Sequence, residues 1–79
     1  MPDKASYLPL LREQLIKHRE ELGLTQRQLA SRLQWHPSYI AKFESGVRGL
    51  SVEDFVLYAR ALDQDPLKIL AKFIKAADL

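Results

Sequence analysis

The sequence predicts an all-α protein, a compact bundle of five helices. Three observations lead there. Apolar residues recur with helical periodicity in five segments, and no alternating strand pattern competes with them. The segments are bounded by capping residues, N1-type prolines or glycines. There are no repeats, low-complexity stretches or linkers, so residues 1–79 are expected to form one domain.

The first helix is expected over roughly residues 7–22, with Gly23 as its stop. The second begins after Thr25, where Thr25 and Gln28 have the T-x-x-Q spacing of a capping box, and it ends near Leu33. The third opens at Pro37, a proline suited to a first helical turn, and stops at Gly46. The fourth follows Ser51, a good N-cap, and runs to about Leu62. The fifth opens on Asp65-Pro66, a cap followed by an N1 proline, and runs to about Ala77. Almost nothing separates the second helix from the third.

Helical spacing also says which faces are buried. In the first helix Leu8, Leu11, Leu15 and Leu22 share one stripe, and Arg19 falls within it. In the third, Ile40 and Phe43 point inward, with Glu44 on the same side. A charge on an apolar face is costly unless it is paired. Arg19 and Glu44 are therefore expected to meet and tie the two helices together. The opposite face of the third helix carries Ser38, Ala41, Lys42 and Ser45, with Tyr39 at its edge. This surface is small and polar with one cation, so another molecule can approach it closely.

Composition narrows the function classes. With 47% apolar and 28% charged residues the chain is ordinary globular. Without cysteine there are neither disulfides nor thiolate metal sites. His18 and His36 stand 18 positions apart with no clustered carboxylate, which is not metal spacing. Glu20 and Glu21 diverge by about 100° on a helix, so they are no general acid–base pair. The G-V-R-G at 46–49 lacks the spacing of a phosphate loop. No enzyme, cofactor, metal or small-molecule ligand is expected. No apolar run approaches the roughly 18 residues of a membrane span, and no signal-like segment opens the chain, so a cytoplasmic protein without a membrane partner is the expectation. Residues 1–50 hold eight Lys/Arg against five Asp/Glu, and residues 51–79 four against five. The basic excess lies with the second and third helices, a weak sign of a polyanionic partner.

One set of residues is more specific. L-G-L-T-Q at 22–26 is followed by Leu29-Ala30, Leu33, Ser38-Tyr39-Ile40, Glu44 and Gly46. In this order and spacing they resemble the Cro-like phage-repressor (XRE-type) helix-turn-helix family. S-V-E-D-F-V-L-Y-A-R-A-L at 51–62 is similar to that family's fourth helix, and the match spans about residues 11–62. The resemblance implies a lambda-repressor-like fold with its helix-turn-helix over about residues 25–45. It implies a sequence-specific DNA-binding transcriptional regulator whose third helix reads base edges while the second crosses the backbone. Pro37, Ser38 and Lys42 match positions that face bases. Gln26, with Arg27 beside it, matches the helix start that meets a phosphate. Ser45, Val47 and Arg48 match the loop that follows the DNA backbone, and Arg19 and Glu44 match a structural ion pair. His36 and Tyr39 join the backbone contacts, although Tyr39 has an alternative role packing along the third helix. Trp35 either covers the junction of the two helices or reaches the backbone through its indole N–H.

The chain departs from this family at three points. Gln34 stands where the family usually has a glycine in left-handed conformation. His36 stands where Ser or Thr is common; a neutral histidine is expected to cap poorly and a protonated one to meet a phosphate. The outer face of the third helix has no Asn, Gln or Arg, so direct readout is expected to be modest, with DNA shape supplying the rest.

A homodimer is expected through the C-terminal helices, about residues 51–77. In the fourth helix Val52, Phe55, Ala59 and Leu62 form the inward arc, and Leu57 lies outside it. In the fifth, Leu67, Leu70 and Ile74 make one apolar face and Ile69, Phe73 and Ala76 another. A small core takes one of these, and Leu57, Ile69, Phe73 and Ala76 are the residues assigned to the dimer. Two copies would place their recognition helices about 34 Å apart on a pseudo-palindromic operator. A different class of function is a protein-interaction or antitoxin-like module using the same fold.

Overall fold

A computed structural model describes residues 6–79; residues 1–5 of the expected domain lie outside it. The described chain forms α1 (Leu8–Glu21), α2 (Gln26–Leu33), α3 (Pro37–Glu44), α4 (Val52–Ala61) and α5 (Pro66–Ala76), with no strand among these residues.

Local chemistry sets the boundaries. Thr25 and Gln28 form the reciprocal capping box of α2: Gln28 N–H donates to Thr25 Oγ1 (3.0 Å) and Thr25 N–H to Gln28 Oε1 (2.8 Å). Ser51 accepts from Asp54 N–H at the start of α4, and Asp65 from Leu67 N–H at the start of α5. Gly23 has φ 72°, which lets Leu24 N–H return to the Arg19 carbonyl and close α1. Gln34 ends α2 in left-handed conformation (φ 59°, ψ 36°), and Trp35 N–H returns to the Ala30 carbonyl. A side chain in that conformation carries a steric cost that glycine avoids. Gln34→Gly should therefore be neutral or stabilising by up to about 1 kcal/mol in urea unfolding. A clear loss of stability would mean that the glutamine makes a contact worth more than its strain.

The helices close over one core. Leu15 of α1, Leu29 and Ala30 of α2, Ile40 and Phe43 of α3, Phe55, Tyr58 and Ala59 of α4, its C-cap Leu62, and Ile69 of α5 are buried. α2 packs most extensively on α3, α1 contacts α3 and α5, and α4 bridges α2 and α5.

The buried set differs from the expected one in four respects. Leu22 is exposed because α1 ends one residue before it. Val52 is 82% exposed: it is the first residue of α4 and stands clear of the packed turns. Tyr58, absent from the expected inward arc, is the largest fully buried side chain. The fourth concerns α5. Ile69 is only 3% exposed and Phe73 is half-buried, whereas Leu67 is 73% exposed and Leu70 and Ile74 are also at the surface. The core takes Ile69, with Phe73 half-buried and Ala76 exposed on the same face, so Ile69 cannot serve as the dimer contact assigned to it. The apolar face left outside is Leu67, Leu70 and Ile74.

Candidate nucleic-acid interface

The two helices of the turn are fixed by a carboxylate. Glu44, at the end of α3, has a side chain only 5% exposed. Arg19 of α1 grips it in fork geometry, Nε to Oε2 at 2.8 Å and Nη2 to Oε1 at 2.9 Å. Gln26 Nε2 donates to Oε1 at 2.8 Å, and the Tyr58 hydroxyl donates to Oε2 at 3.0 Å. Arg19 Nη1 also donates to the Leu24 carbonyl at 2.7 Å. One carboxylate thus joins α1, α2, α3 and α4. Its hydrogen bond is the main reason the Arg19 pKa is raised, against the opposing effect of burial. Burial, then the neighbouring Glu44 charge, holds the Tyr58 phenol neutral far above its ordinary range.

A second link from α1 was not expected from the sequence. Arg12 Nε donates to the Phe43 carbonyl at 2.7 Å, and its guanidinium lies 5.4 Å from the Phe43 ring centre. The Phe43 carbonyl also accepts Gly46 N–H at 3.1 Å, so Arg12 takes its second lone pair and sets a cation at the C-terminal end of α3. The signal was present: Arg12 precedes Arg19 by seven residues and so shares its stripe. Phe43 also meets the Tyr58 ring edge-on at 5.5 Å.

The start of α3 is capped by His36. Its Nδ1 accepts from Ser38 N–H at 3.1 Å, and Ser38 Oγ lies 2.8 Å from the same nitrogen. The expectation that a neutral histidine caps poorly is therefore corrected: the ring nitrogen takes the place of a Ser or Thr oxygen. Next to it, Trp35, Tyr39 and Arg48 form a stack. The Trp35 and Tyr39 rings are 4.7 Å apart, and the Arg48 guanidinium sits 3.7 Å over the Tyr39 ring. Trp35 packs against the core and also approaches Tyr58. Both of its ring neighbours accord with the junction role. The Tyr39 hydroxyl donates to Asp54 Oδ2 of α4. Burial first, then this bond, raises the Tyr39 pKa. With its proton given to Asp54, Tyr39 cannot donate to a phosphate as assigned; its role is to carry Arg48 and to brace α3 against α4.

The outward residues then sort themselves. Ser38 and Lys42 stand one turn apart on α3, both exposed, with Pro37 half-buried at its start. Arg27 on α2 and Arg48 in the loop between α3 and α4 are exposed, and neither they nor Lys42 make an ion pair among the described residues. Gln26 keeps one amide hydrogen beyond the one given to Glu44. Ser45, matched to the loop that follows the DNA backbone, is exposed, with its hydroxyl donating to the Lys42 carbonyl and its N–H to the Ala41 carbonyl. The expected pair of dimer residues Phe73 and Ala76 lies on α5, away from the turn, and Leu57 is 44% exposed on α4. Among the described residues no group of His, Cys, Asp or Glu is placed to hold a metal ion, and no helix is long and apolar enough to cross a membrane.

Two short helices joined at a fixed angle, the second with a small polar face turned outward, define a helix-turn-helix protein. The family profile described as "Helix-turn-helix" matches residues 15–69, and the chain belongs to the XRE-type helix-turn-helix family. An XRE-family like protein from Pseudomonas syringae pv. tomato str. DC3000 is similar in structure with TM-score 0.85 at 31% identity, over 89% of this chain and 85% of that one. The wild-type restriction-modification controller protein C.Esp1396I gives 0.81 at 25% identity, over 91% and 92%. The clp gene regulator ClgR from Corynebacterium glutamicum shares the fold, with 0.79 at 23% identity, over 94% and 79%. No curated protein sequence matches significantly.

Proposed function

We propose that this protein is a DNA-binding transcription regulator that lays α3 in the major groove and reads a pseudo-palindromic operator as a homodimer. The observation that carries this is the contrast between the two sides of α3. Its inner side is locked by Arg12, Arg19 and the buried Glu44, while its outer side offers only Ser38, Lys42 and small neighbours. A helix held this rigidly and left this bare is built to be aimed at a surface. Lys42 is suited to guanine O6 and N7. Arg27, Arg48 and the remaining Gln26 amide hydrogen are suited to phosphates, as are the free N–H groups at the start of α2. The C.Esp1396I and ClgR likenesses, a controller protein and a gene regulator by name, agree with this reading.

The dimer is proposed on Leu67, Leu70 and Ile74 of α5 with Leu57 of α4, in place of Ile69 and Phe73. A two-fold axis there would bury these side chains on both copies at once. Selection of bound sites from random duplex DNA tests the whole reading. An inverted repeat with half-sites about 10 base pairs apart is expected; a single unrepeated half-site would remove the dimer, and no enriched site would remove the operator. Lys42→Ala should weaken binding to the selected site by about 1–3 kcal/mol and relax one base position. Equal binding by variant and parent would take Lys42 out of the readout.

A further inference from the structure

The cap of α3 determines what Ser38 is able to read. Pro37 occupies the first position of the helix and has no N–H, so the first backbone donor that needs an acceptor is that of Ser38. His36 Nδ1 accepts it at 3.1 Å. A backbone N–H only donates, so Nδ1 must carry its lone pair, which makes His36 the neutral Nε2–H tautomer. Ser38 Oγ lies 2.8 Å from the same Nδ1. Two acceptors cannot face each other at that distance, so the hydroxyl proton points to Nδ1 in a three-centre arrangement. No other acceptor for that proton is present among the described residues. The outward side of Oγ is left with lone pairs alone.

We propose that His36 is a specificity-determining positioning residue, which turns Ser38 from an ambivalent hydroxyl into a pure acceptor and so makes it select a base with an exocyclic amino group. This rests on α3 lying in the major groove. A free serine hydroxyl donates or accepts and tolerates any base; an acceptor-only one pairs with adenine N6 or cytosine N4 and is repelled by guanine O6 and thymine O4. The same tautomer leaves Nε2–H facing away from the helix as a neutral donor, suited to a phosphate beside the groove.

Selection from random duplex DNA with the parent, Ser38→Ala and His36→Ala tests this. The base whose preference is lost in Ser38→Ala identifies the position under Ser38. In the parent that base should be adenine or cytosine, preferred about three- to tenfold, the factor one neutral hydrogen bond supplies. In His36→Ala the hydroxyl is free to rotate, so guanine or thymine should be admitted at that position while the rest of the site stays as in the parent. Loss of the cap alone would lower affinity evenly for all sites, and that is a separate readout. A Ser38-dependent guanine or thymine in the parent would overturn the proposal even if His36→Ala does not fold. So would a site that Ser38→Ala leaves unchanged, or a preference that survives in a folded His36→Ala. Each of these leaves α3 in the groove; failure of the parent to enrich any site would overturn both.

Discussion

Glu44→Ala should destabilise the protein by about 3–5 kcal/mol, the cost of leaving a partly buried charge without its partner. Arg19 is 12% exposed and would keep only the Leu24 carbonyl. The Tyr58 hydroxyl, in the core, and the Gln26 amide would each lose their acceptor as well. A chain of this size has about 5–10 kcal/mol to lose, so the variant would be close to unfolding at growth temperature. The pair is testable as a cycle. Replacing Arg19 and Glu44 together by apolar residues of similar volume should cost less than replacing Glu44 alone, because no unpaired charge remains. Urea unfolding followed by circular dichroism gives all four corners. Additive losses would mean that the carboxylate is held by Tyr58 and Gln26 rather than by Arg19.

The second large effect concerns association. Leu67→Glu with Ile74→Glu places charge on the exposed face of α5 and leaves Ile69 in the core. The variant should fold normally, sediment as a monomer and bind the selected operator about 10²–10⁴-fold more weakly, since two half-sites are no longer engaged together. Phe73 is unsuited to this test, because it is half-buried and a charge there would report on folding. A parent protein that sediments as a monomer at micromolar concentration would contradict the dimer.

Much of the architecture was written in local signals. Thr25 with Gln28, Ser51, Asp65-Pro66 and Gly23 act within one turn of themselves, and those are the boundaries the structure has. Arg19 and Glu44 were found because a charge on an apolar stripe demands a partner, and the demand does not depend on distance along the chain. What stayed hidden was the choice between equivalent options. Both faces of α5 are apolar, and periodicity ranks neither; the packing of α1 and α4 decides for Ile69. The outward role of Tyr39 failed for a similar reason, since Asp54 reaches it only through the tertiary placement of α4. His36 was misjudged because preferences for capping residues count how often a residue occurs, whereas the proline after it leaves a single donor that one ring nitrogen satisfies.

The central claim is that the outer face of α3 meets a nucleic-acid polyanion in register with its bases. It is tested most directly by measuring affinity for the selected operator and for a scrambled duplex across salt concentration. Log affinity should fall linearly with log salt for both, with slopes set by the phosphates neutralised, and binding to the operator should be tighter throughout. Lys42→Ala should narrow the gap between the two duplexes. Affinity that does not change with salt, or that is equal for operator and scrambled DNA, would contradict it.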